Sequence, residues 1–566
     1  MMIEIQPQHI TFGGLLHGRL FRIPQYQRAY SWQRKHREDL FSDILDTWKA
    51  GNDRTHFMAT LVGLRREKRA IITDELQVIE IVDGQQRITT LIVLLKAIAK
   101  ALDRSQPDED KTGRELDETL VKPDKTSLLL LQTNHDSSDF FANYIRRGDH
   151  PSSDSAITYA DRELLMAIEE CEKFVSAWRS GKGSLLELLS LLKNRLTFVF
   201  HEIGDESVVY TVFEVLNSRG LEVSWFDRLK SELMAIVFES STGNRDEIIN
   251  EVHQLWTDIY ACVGLRLGMS TESLRFAATL RHPHYAPSRP LSEEDSATLL
   301  AKQSQDGPAK VIEVTKWLKS VTEAVDRLVA DRRKNAVTRI AQARLVATAI
   351  LLRQDLTEVE KVGLLRRWEN VTFRIYGLFN KDARTAVGDY IRLAWNIVNK
   401  SPSHDDILKM LSLIGSAYPI EKAVDNLREK DCYTEWQEEL RYFFNRYEEY
   451  LAKESGQNFN NEQWNRIWQS SAADSIEHIR PQSWWYSIGF VPSPEDVHRL
   501  GNLLILPPRL NSKLGAKSPT EKADDYRKTG LLVAQEVADV LSKGSSDYIE
   551  SREKRLLDWA KHEWAD

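Results

Sequence analysis

Residues 76–102 read LQVIEIVDGQQRITTLIVLLKAIAKAL and carry the strongest fold signal in the chain. The first seven are rich in β-branched side chains and short enough for a strand. After the polar turn DGQQR at 83–87, apolar residues recur at spacings of three and four from Ile88 to Leu102. That spacing predicts a buried amphipathic helix, which Thr89 or Thr90 would cap. A strand, a polar turn and a helix in this order aim backbone N–H groups at an anion.

Outward from this stretch the N-terminal part reads as mixed α/β. The charged segment 103–126 has few apolar positions, so we expect a solvated loop. Residues 193–203 partly alternate and predict a strand, and 207–217 predict a helix. Ser224 and Asp227 have capping-box spacing at the start of a further helix.

Residues 240–450 read as largely helical, with apolar stripes at 339–353 and 362–379. A Pro- and Ser-rich interruption at 282–308 predicts a loop or hinge. A second polar break, KESGQNFNNEQ at 453–463, precedes a compositionally distinct final segment. We therefore expect an α+β multi-domain protein with domains at 1–238, 239–434 and 435–566.

Composition sets limits on function. The chain has 566 residues and a net charge of −8, so any nucleic-acid surface must be a local basic patch. Cys171, Cys262 and Cys432 are far apart, which argues against a disulfide framework and a thiolate zinc site and favours the cytoplasm. We find no signal peptide and no apolar stretch near the ~20 residues that span a bilayer, so no membrane partner is expected.

Two segments combine residues suited to phosphate. Residues 23–32 read IPQYQRAYSW, and DGQQR follows about fifty residues later. Arg28 and Arg87 offer forked donors, and Gly84 permits close backbone approach to a ligand. Asp83 could hold a metal ion or polarise a water that Gln85 or Gln86 orients. The alternative is that the arginines form structural ion pairs and the aromatic residues belong to the core.

A second group lies near the C-terminus, in DSIEHIRPQSW at 474–484 and in the segment 501–518. A strand would place Glu477 and His478 on opposite faces, and a hairpin followed by a helix would bring His478, Asn502 and Asn511 together. Phosphodiester hydrolysis needs a base, a divalent metal and an amide that orients the imidazole. Taken alone, a Glu–His pair is more often a surface feature. His498 either joins this site or lies on the surface.

The first two segments resemble the DGQQR-signature domain of GmrSD-type type IV restriction systems and of the SspE family of phage-defence proteins. FEVLNSRG at 213–220 and the residues after Ser224 match further motifs of that family. The resemblance implies a ParB/sulfiredoxin-like core that binds and hydrolyses a nucleoside triphosphate (GTP, CTP, UTP or ATP). It assigns the site to Tyr26, Gln27, Arg28, Asp83, Gly84, Gln85, Gln86 and Arg87, with Asn217 and Arg219 as weaker candidates. No GxxxxGK[ST] loop occurs in the sequence.

The C-terminal group resembles the HNH, or ββα-metal, nuclease domain of the same systems. The resemblance makes His478 the general base and Asn502 the residue that orients it. Glu477 and Asn511 would contact Mg²⁺ or Mn²⁺, and Lys513, Lys517 and Lys522 would contact DNA. Glu477 stands where many such domains have Asp, which puts the metal position in doubt. Trp484 and Trp485 either touch DNA or belong to the core.

Together the resemblances imply a modification-dependent DNA endonuclease of antiphage defence, with a helical middle domain that transmits the nucleotide state. Its partners would be double-stranded, modified phage DNA and a nucleotide. Whether the chain forms a homo-oligomer is left open by the sequence. One alternative is a nucleotide-dependent regulatory protein with a degenerate nuclease domain. Another is an RNase-type toxin.

Overall fold

The structure is a computed structural model with two compact units. One comprises residues 1–274 and 293–322, and the other comprises 275–292 and 323–566. The residues described are 7–24, 27, 29–51, 54–71, 74–123, 127–133, 139–204, 224–239, 245–337, 340–428, 430–483, 497–543 and 548–565. The expected helix at 207–217 and the residues Tyr26, Arg28, Asn217, Arg219, Trp484 and Trp485 lie outside them.

The first unit is built on a six-stranded mixed sheet in the order β1-β6-β3-β4-β2-β5. The strands are β1 Pro7–Thr11, β2 Arg19–Arg22, β3 His56–Ile71, β4 Asp74–Asp83, β5 Leu131–Gln132 and β6 Leu196–Ile203. Strand β2 is parallel to β4 and β5, and β3 is parallel to β6, whereas β1–β6 and β3–β4 are antiparallel. The strand predicted at 76–82 is confirmed within β4, and the one predicted at 193–203 is confirmed for 196–203 as β6, whereas residues 193–195 end the preceding helix.

Helices flank this sheet. They are α1 Phe12–Leu16, α2 Arg34–Lys49, α3 Gln85–Ala101, α4 Pro107–Leu120, α5 Phe140–Arg147, α6 Tyr159–Gly181, α7 Leu185–Arg195, α8 Trp225–Glu239 and α9 Arg245–Val263. Helix α3 is buried almost throughout, as its apolar pattern predicts, but Gly84 in left-handed conformation is its N-cap, not Thr89 or Thr90. The predicted cap at Ser224 is confirmed, because the Asp227 amide donates to its hydroxyl at 3.2 Å.

The solvated loop expected at 103–126 is wrong for most of its length, because residues 107–120 form α4. Pro107 occupies its first turn, which also carries three acidic residues, and both features favour a helix start. Leu116 and Leu120 are buried with the core residues of α3. Two apolar residues four apart suffice to dock a charged helix on a neighbouring apolar surface.

In the part of the second unit that the structure describes, helices and their connecting loops surround one hairpin. Its helices include α13 Arg332–Val337, α14 Ala341–Leu352, α15 Glu358–Thr372, α16 Val387–Asn399, α17 His404–Gly415, α18 Ile420–Arg428, α19 Gln437–Ser455, α20 Asn461–Gln469 and α21 Ala472–Ser475. A π-helical turn, Phe373–Leu378, continues α15. Two helices cross the boundary between the units in sequence, α10 Leu267–Leu280 and α12 Pro308–Ala330. The loop expected at 282–308 is interrupted by a helix of the first unit, α11 Glu293–Gln303, so that expectation holds only in part.

The C-terminal hairpin pairs β7 Ile476–His478 with β8 Leu503–Ile505 in antiparallel register, His478 opposite Leu503. A 3₁₀ turn, Leu500–Asn502, leads into β8. Helices α22 Pro508–Leu514, α23 Pro519–Arg527, α24 Leu532–Ser542 and α25 Tyr548–Glu563 follow. A hairpin followed by a helix is the arrangement predicted from the sequence. No helix within the described residues is long and apolar enough to cross a membrane.

Candidate functional sites

The turn after β4 brings together the two N-terminal segments predicted to share a site. Gly84 has φ of 89°, and a Cβ at this position would lie 2.1 Å from Leu61 Cδ2. Only glycine fits such a conformation at such close range. The Gly84 amide donates to Asp83 Oδ1 at 2.8 Å, so the carboxylate lies beside the start of α3.

The side-chain amides of Gln27 and Gln86 form hydrogen bonds with backbone groups. Gln27 Nε2 donates to Val82 O at 2.7 Å. Gln86 Oε1 accepts from Ser31 N at 2.8 Å, and its Nε2 donates to Ala29 O at 3.0 Å. Both side chains therefore tie the segment around Gln27–Ser31 to the DGQQR turn, a positional role and not the water-orienting role that the chemistry suggested for Gln86.

Two cations lie at this turn. The Arg87 guanidinium is 5.5 Å from the centre of the Trp32 ring, and burial lowers its pKa against the opposing effect of Asp43 and Asp83. Lys230, which is 1% exposed, donates from Nζ to Gln27 O at 3.4 Å, and burial lowers its pKa to about 8. Desolvated cations beside the first turn of a helix favour an anionic ligand.

A small cavity lies against the same helix. It has a volume of about 30 Å³ and is lined in part by Tyr30, Gln85, Gln86 and Thr89. That is room for a water molecule, and it is too small for a nucleotide.

In the C-terminal unit the two residues of the Glu–His pair face opposite sides of β7, as predicted. Glu477 is 4% exposed. It pairs with Lys522 Nζ at 2.6 Å and accepts from the Tyr526 hydroxyl at 2.9 Å. Burial raises the pKa of Glu477, while Lys522 and Tyr526 act in the opposite direction. Lys522 and Tyr526 are four residues apart on α23 and so share one helix face.

His478 points to the other side, toward a second histidine. Its Nε2 lies 2.9 Å from Nδ1 of His498. The ring of Tyr433 meets His478 edge-on at 4.6 Å between centroids and stacks on His498 at 4.8 Å. Burial, followed by the effects of His498 and Lys522, lowers the pKa of His478 to about 3. The imidazole is therefore neutral near pH 7, so it can accept a proton, but so low a pKa also makes it a weak base.

The side chains of the two predicted asparagines form hydrogen bonds with backbone groups. Asn502 accepts from Arg480 N at 2.8 Å and donates to Val497 O at 2.8 Å, so it joins the ends of the hairpin strands. Asn511 donates to Asp474 O and Ile476 O, both at 2.9 Å. The predicted orienting contact from Asn502 to His478 is not made, because the Asn502 amide bonds to the backbone of Arg480 and Val497, and His478 Nε2 contacts His498 instead.

The predicted metal ligands do not fit a cation in this arrangement. The Glu477 carboxylate is already neutralised by Lys522 and faces away from the His478 ring. No group of three His, Cys, Asp or Glu side chains able to hold a metal occurs in the part of the chain that the structure describes.

The three predicted DNA-contacting lysines differ in position. Lys513 and Lys517 are exposed, and Lys517 pairs with Asp525 at 3.1 Å. Lys522 is fully buried, and it also donates to His478 O at 2.8 Å. An ammonium in this position stabilises the hairpin and is not available to a DNA backbone. Sequence reasoning gave no site role to Tyr433, which no local motif marks, or to Lys230, which lies in the matched segment after Ser224.

Comparison with known families agrees with this division into an N-terminal α/β part and a C-terminal hairpin part. Residues 12–234 match the N-terminal domain of the GmrSD restriction endonuclease, and residues 419–559 match the C-terminal domain of GmrSD restriction endonucleases. None of the curated proteins matches the chain. The class is that of DNA restriction endonucleases. The chain belongs to the GmrSD type and has both of its domains.

Proposed function

We propose that this protein is a modification-dependent endonuclease of antiphage defence that acts in the cytoplasm on modified phage DNA. Its C-terminal domain is of the HNH type, and its ParB-like N-terminal domain binds and hydrolyses a nucleoside triphosphate. The observation that carries the proposal is the buried His478 imidazole, whose Nε2 lies 2.9 Å from His498 Nδ1 on a hairpin that Lys522 holds to a helix. The match of both ends of the chain to restriction endonuclease domains supports it.

The reaction that we assign to His478 is activation of water. The imidazole takes a proton from water while the water oxygen bonds to phosphorus. One P–O ester bond breaks, and the leaving oxygen takes a proton from solvent. Mg²⁺ or Mn²⁺ is the expected cofactor, since a divalent cation stabilises the scissile phosphate, but Glu477 in its present pairing does not hold it.

Plasmid nicking tests the nuclease. The chain is incubated with modified or unmodified plasmid and Mg²⁺ or Mn²⁺, with an EDTA control. We expect His478→Ala to abolish nicking and His562→Ala, an exposed histidine on α25, to leave it unchanged. Nicking that survives in His478→Ala would contradict the proposal, and cleavage of RNA alone would indicate a toxin.

The Glu477–Lys522 pair favours a second candidate function. A degenerate nuclease domain would contain a carboxylate that is neutralised by a lysine and unable to bind a metal. The protein would then act as a nucleotide-dependent DNA-binding regulator. Absence of nicking on every DNA, together with nucleotide-dependent DNA binding, would support that function.

Triphosphate turnover tests the N-terminal domain. We expect Arg87→Ala and Asp83→Ala to abolish hydrolysis without unfolding the chain, because both residues lie at the start of α3. Arg34→Ala is the matched control, since Arg34 is exposed on α2 and pairs only with its neighbour Glu38 at 2.7 Å among the described residues. Unchanged turnover in Arg87→Ala and Asp83→Ala would remove the DGQQR turn from the mechanism.

A further inference from the structure

A hydrogen bond joins a ring nitrogen of His478 to one of His498. Only one of the two possible donors leaves His478 able to act as a base. The two ring nitrogens are 2.9 Å apart, so one of them carries the shared proton. If His498 donates, His478 accepts at Nε2 and carries its own proton at Nδ1, and the ring has no free lone pair. If His478 donates from Nε2, its Nδ1 keeps a lone pair that can take a water proton, and Gln482 Nε2 lies 3.5 Å from that nitrogen.

We propose that His498 is a positioning residue for the nuclease reaction: its Nδ1 accepts the Nε2–H of His478 and so fixes His478 in the tautomer whose Nδ1 is the base. The inference rests on the proposed function of His478. It replaces the orienting role that sequence resemblance gave to Asn502, whose amide is taken up by the backbone of Arg480 and Val497.

The surroundings hold His498 in place. Its ring stacks on Tyr433 at an interplanar angle of 23°, and its carbonyl accepts from Cys432 N at 3.1 Å. Burial lowers the pKa of His498 against the opposing charge of Asp431 in the same segment, which favours the neutral ring whose Nδ1 can accept. A histidine ring with one nitrogen bonded and its plane packed has little freedom to rotate away.

The chain after His498 is fixed as well. Arg499 donates from Nε to Glu553 Oε1 at 3.2 Å, and Arg552 Nη1 donates to Gly501 O at 2.9 Å. Both partners come from α25. Residues 431–433 therefore hold His498 itself, and α25 holds the residues that follow it.

Substitution at 498 tests the role by kinetics. His498→Asn keeps a polar group near the place of Nδ1, whereas His498→Leu has similar size and no hydrogen bond. We expect His498→Leu to lower kcat on the order of 100-fold with little change in KM or in thermal unfolding. His498→Asn should recover most of that loss. Equal activity of the native and His498→Leu chains would overturn the proposal, and so would a fall in KM and kcat that both variants share.

A spectroscopic test separates this inference from the proposed function. In the full chain labelled with ¹⁵N-histidine, the His478 signals are assigned by their disappearance in His478→Gln. We expect a protonated Nε2 and an unprotonated Nδ1 in the native chain, and a mixture of tautomers in His498→Leu. A protonated Nδ1 in the native chain would overturn the inference even where nicking is present. If no chain nicks DNA, the proposed function fails, and the tautomer is still measured.

Discussion

The buried pair of Glu477 and Lys522 shows how one side chain can be assigned to two incompatible roles. By sequence, Lys522 is one of three basic residues in a segment that suits DNA. In the structure its ammonium is 2.6 Å from a buried carboxylate and is itself fully buried. Removing one member of a buried ion pair leaves the other charge without compensation, which costs more than the pair contributes.

We expect Lys522→Met to destabilise the chain by about 3–5 kcal/mol, measured by urea unfolding. The matched control is Lys513→Met, which changes an exposed residue and should alter stability by less than about 0.5 kcal/mol. If Lys513 contacts DNA, its variant weakens DNA binding instead. A stable Lys522→Met chain with weakened DNA binding would restore the role predicted from sequence.

Glu448 gives a pH dependence of known sign. This fully buried residue of α19 accepts from Leu532 N at 2.7 Å and Val533 N at 2.8 Å, and burial raises its pKa from 4.5 to about 7. The folded chain therefore binds this proton more tightly than the unfolded chain does between pH 4.5 and 7. The contribution of Glu448 to stability is present below pH 4.5 and is lost as pH rises through 7.

We expect Glu448→Gln to remove that decline, which is on the order of 3 kcal/mol at most. The measurement is the free energy of unfolding against pH for both chains, and the quantity compared is the difference between their slopes. Parallel curves between pH 4.5 and 7 would contradict the raised pKa.

At the scale of elements, α25 decides the geometry of a motif that lies about fifty residues before it. A Cβ on Gly501 would lie 2.2 Å from Ile549 O, so the turn before β8 and α25 approach at backbone distance. Arg552, which is 2% exposed, donates to the carbonyls of Gly501 at 2.9 Å and Leu503 at 2.7 Å. The hairpin thus depends on a helix outside the motif-rich region.

Gly501→Ala should lower stability by roughly 1–3 kcal/mol, because the added methyl group meets backbone that can relax only if α25 shifts. Gly363→Ala is the control on α15, where the nearest atom to a Cβ is His404 Nε2 at 3.8 Å. That control should stabilise the chain by about 0.5–1 kcal/mol through helix propensity. Thermal unfolding compares the two, and equal effects of the same sign would refute the close approach.

At the scale of the whole molecule, the two largest clusters of buried apolar side chains among the described residues lie in different compact units. One core gathers residues from Phe12 to Phe200, and the other gathers residues from Val337 to Trp564. Chains with several cores commonly unfold in more than one step.

We expect two transitions in calorimetry of the full chain. Leu95→Ala removes a fully buried side chain of the first core and should lower one transition only, and Leu440→Ala should lower only the other. Each substitution costs about 2–5 kcal/mol in its own unit. A single transition that both variants lower equally would mean that the cores unfold together.

The amino-acid sequence by itself determined the elements whose signal is local. The strand and helix of residues 76–102 and the opposite faces of Glu477 and His478 follow from side-chain periodicity and backbone sterics, whereas the glycine cap between strand and helix was not predicted, because Thr89 or Thr90 was expected there. Helix α4 has local start signals in Pro107 and its acidic first turn, but only the tertiary structure decided which surface buries Leu116 and Leu120, that Lys522 neutralises Glu477 and that His498 lies beside His478. Those outcomes depend on which distant surface buries a side chain, and burial changes the free energy of a charge or an imidazole far more than its sequence neighbours do.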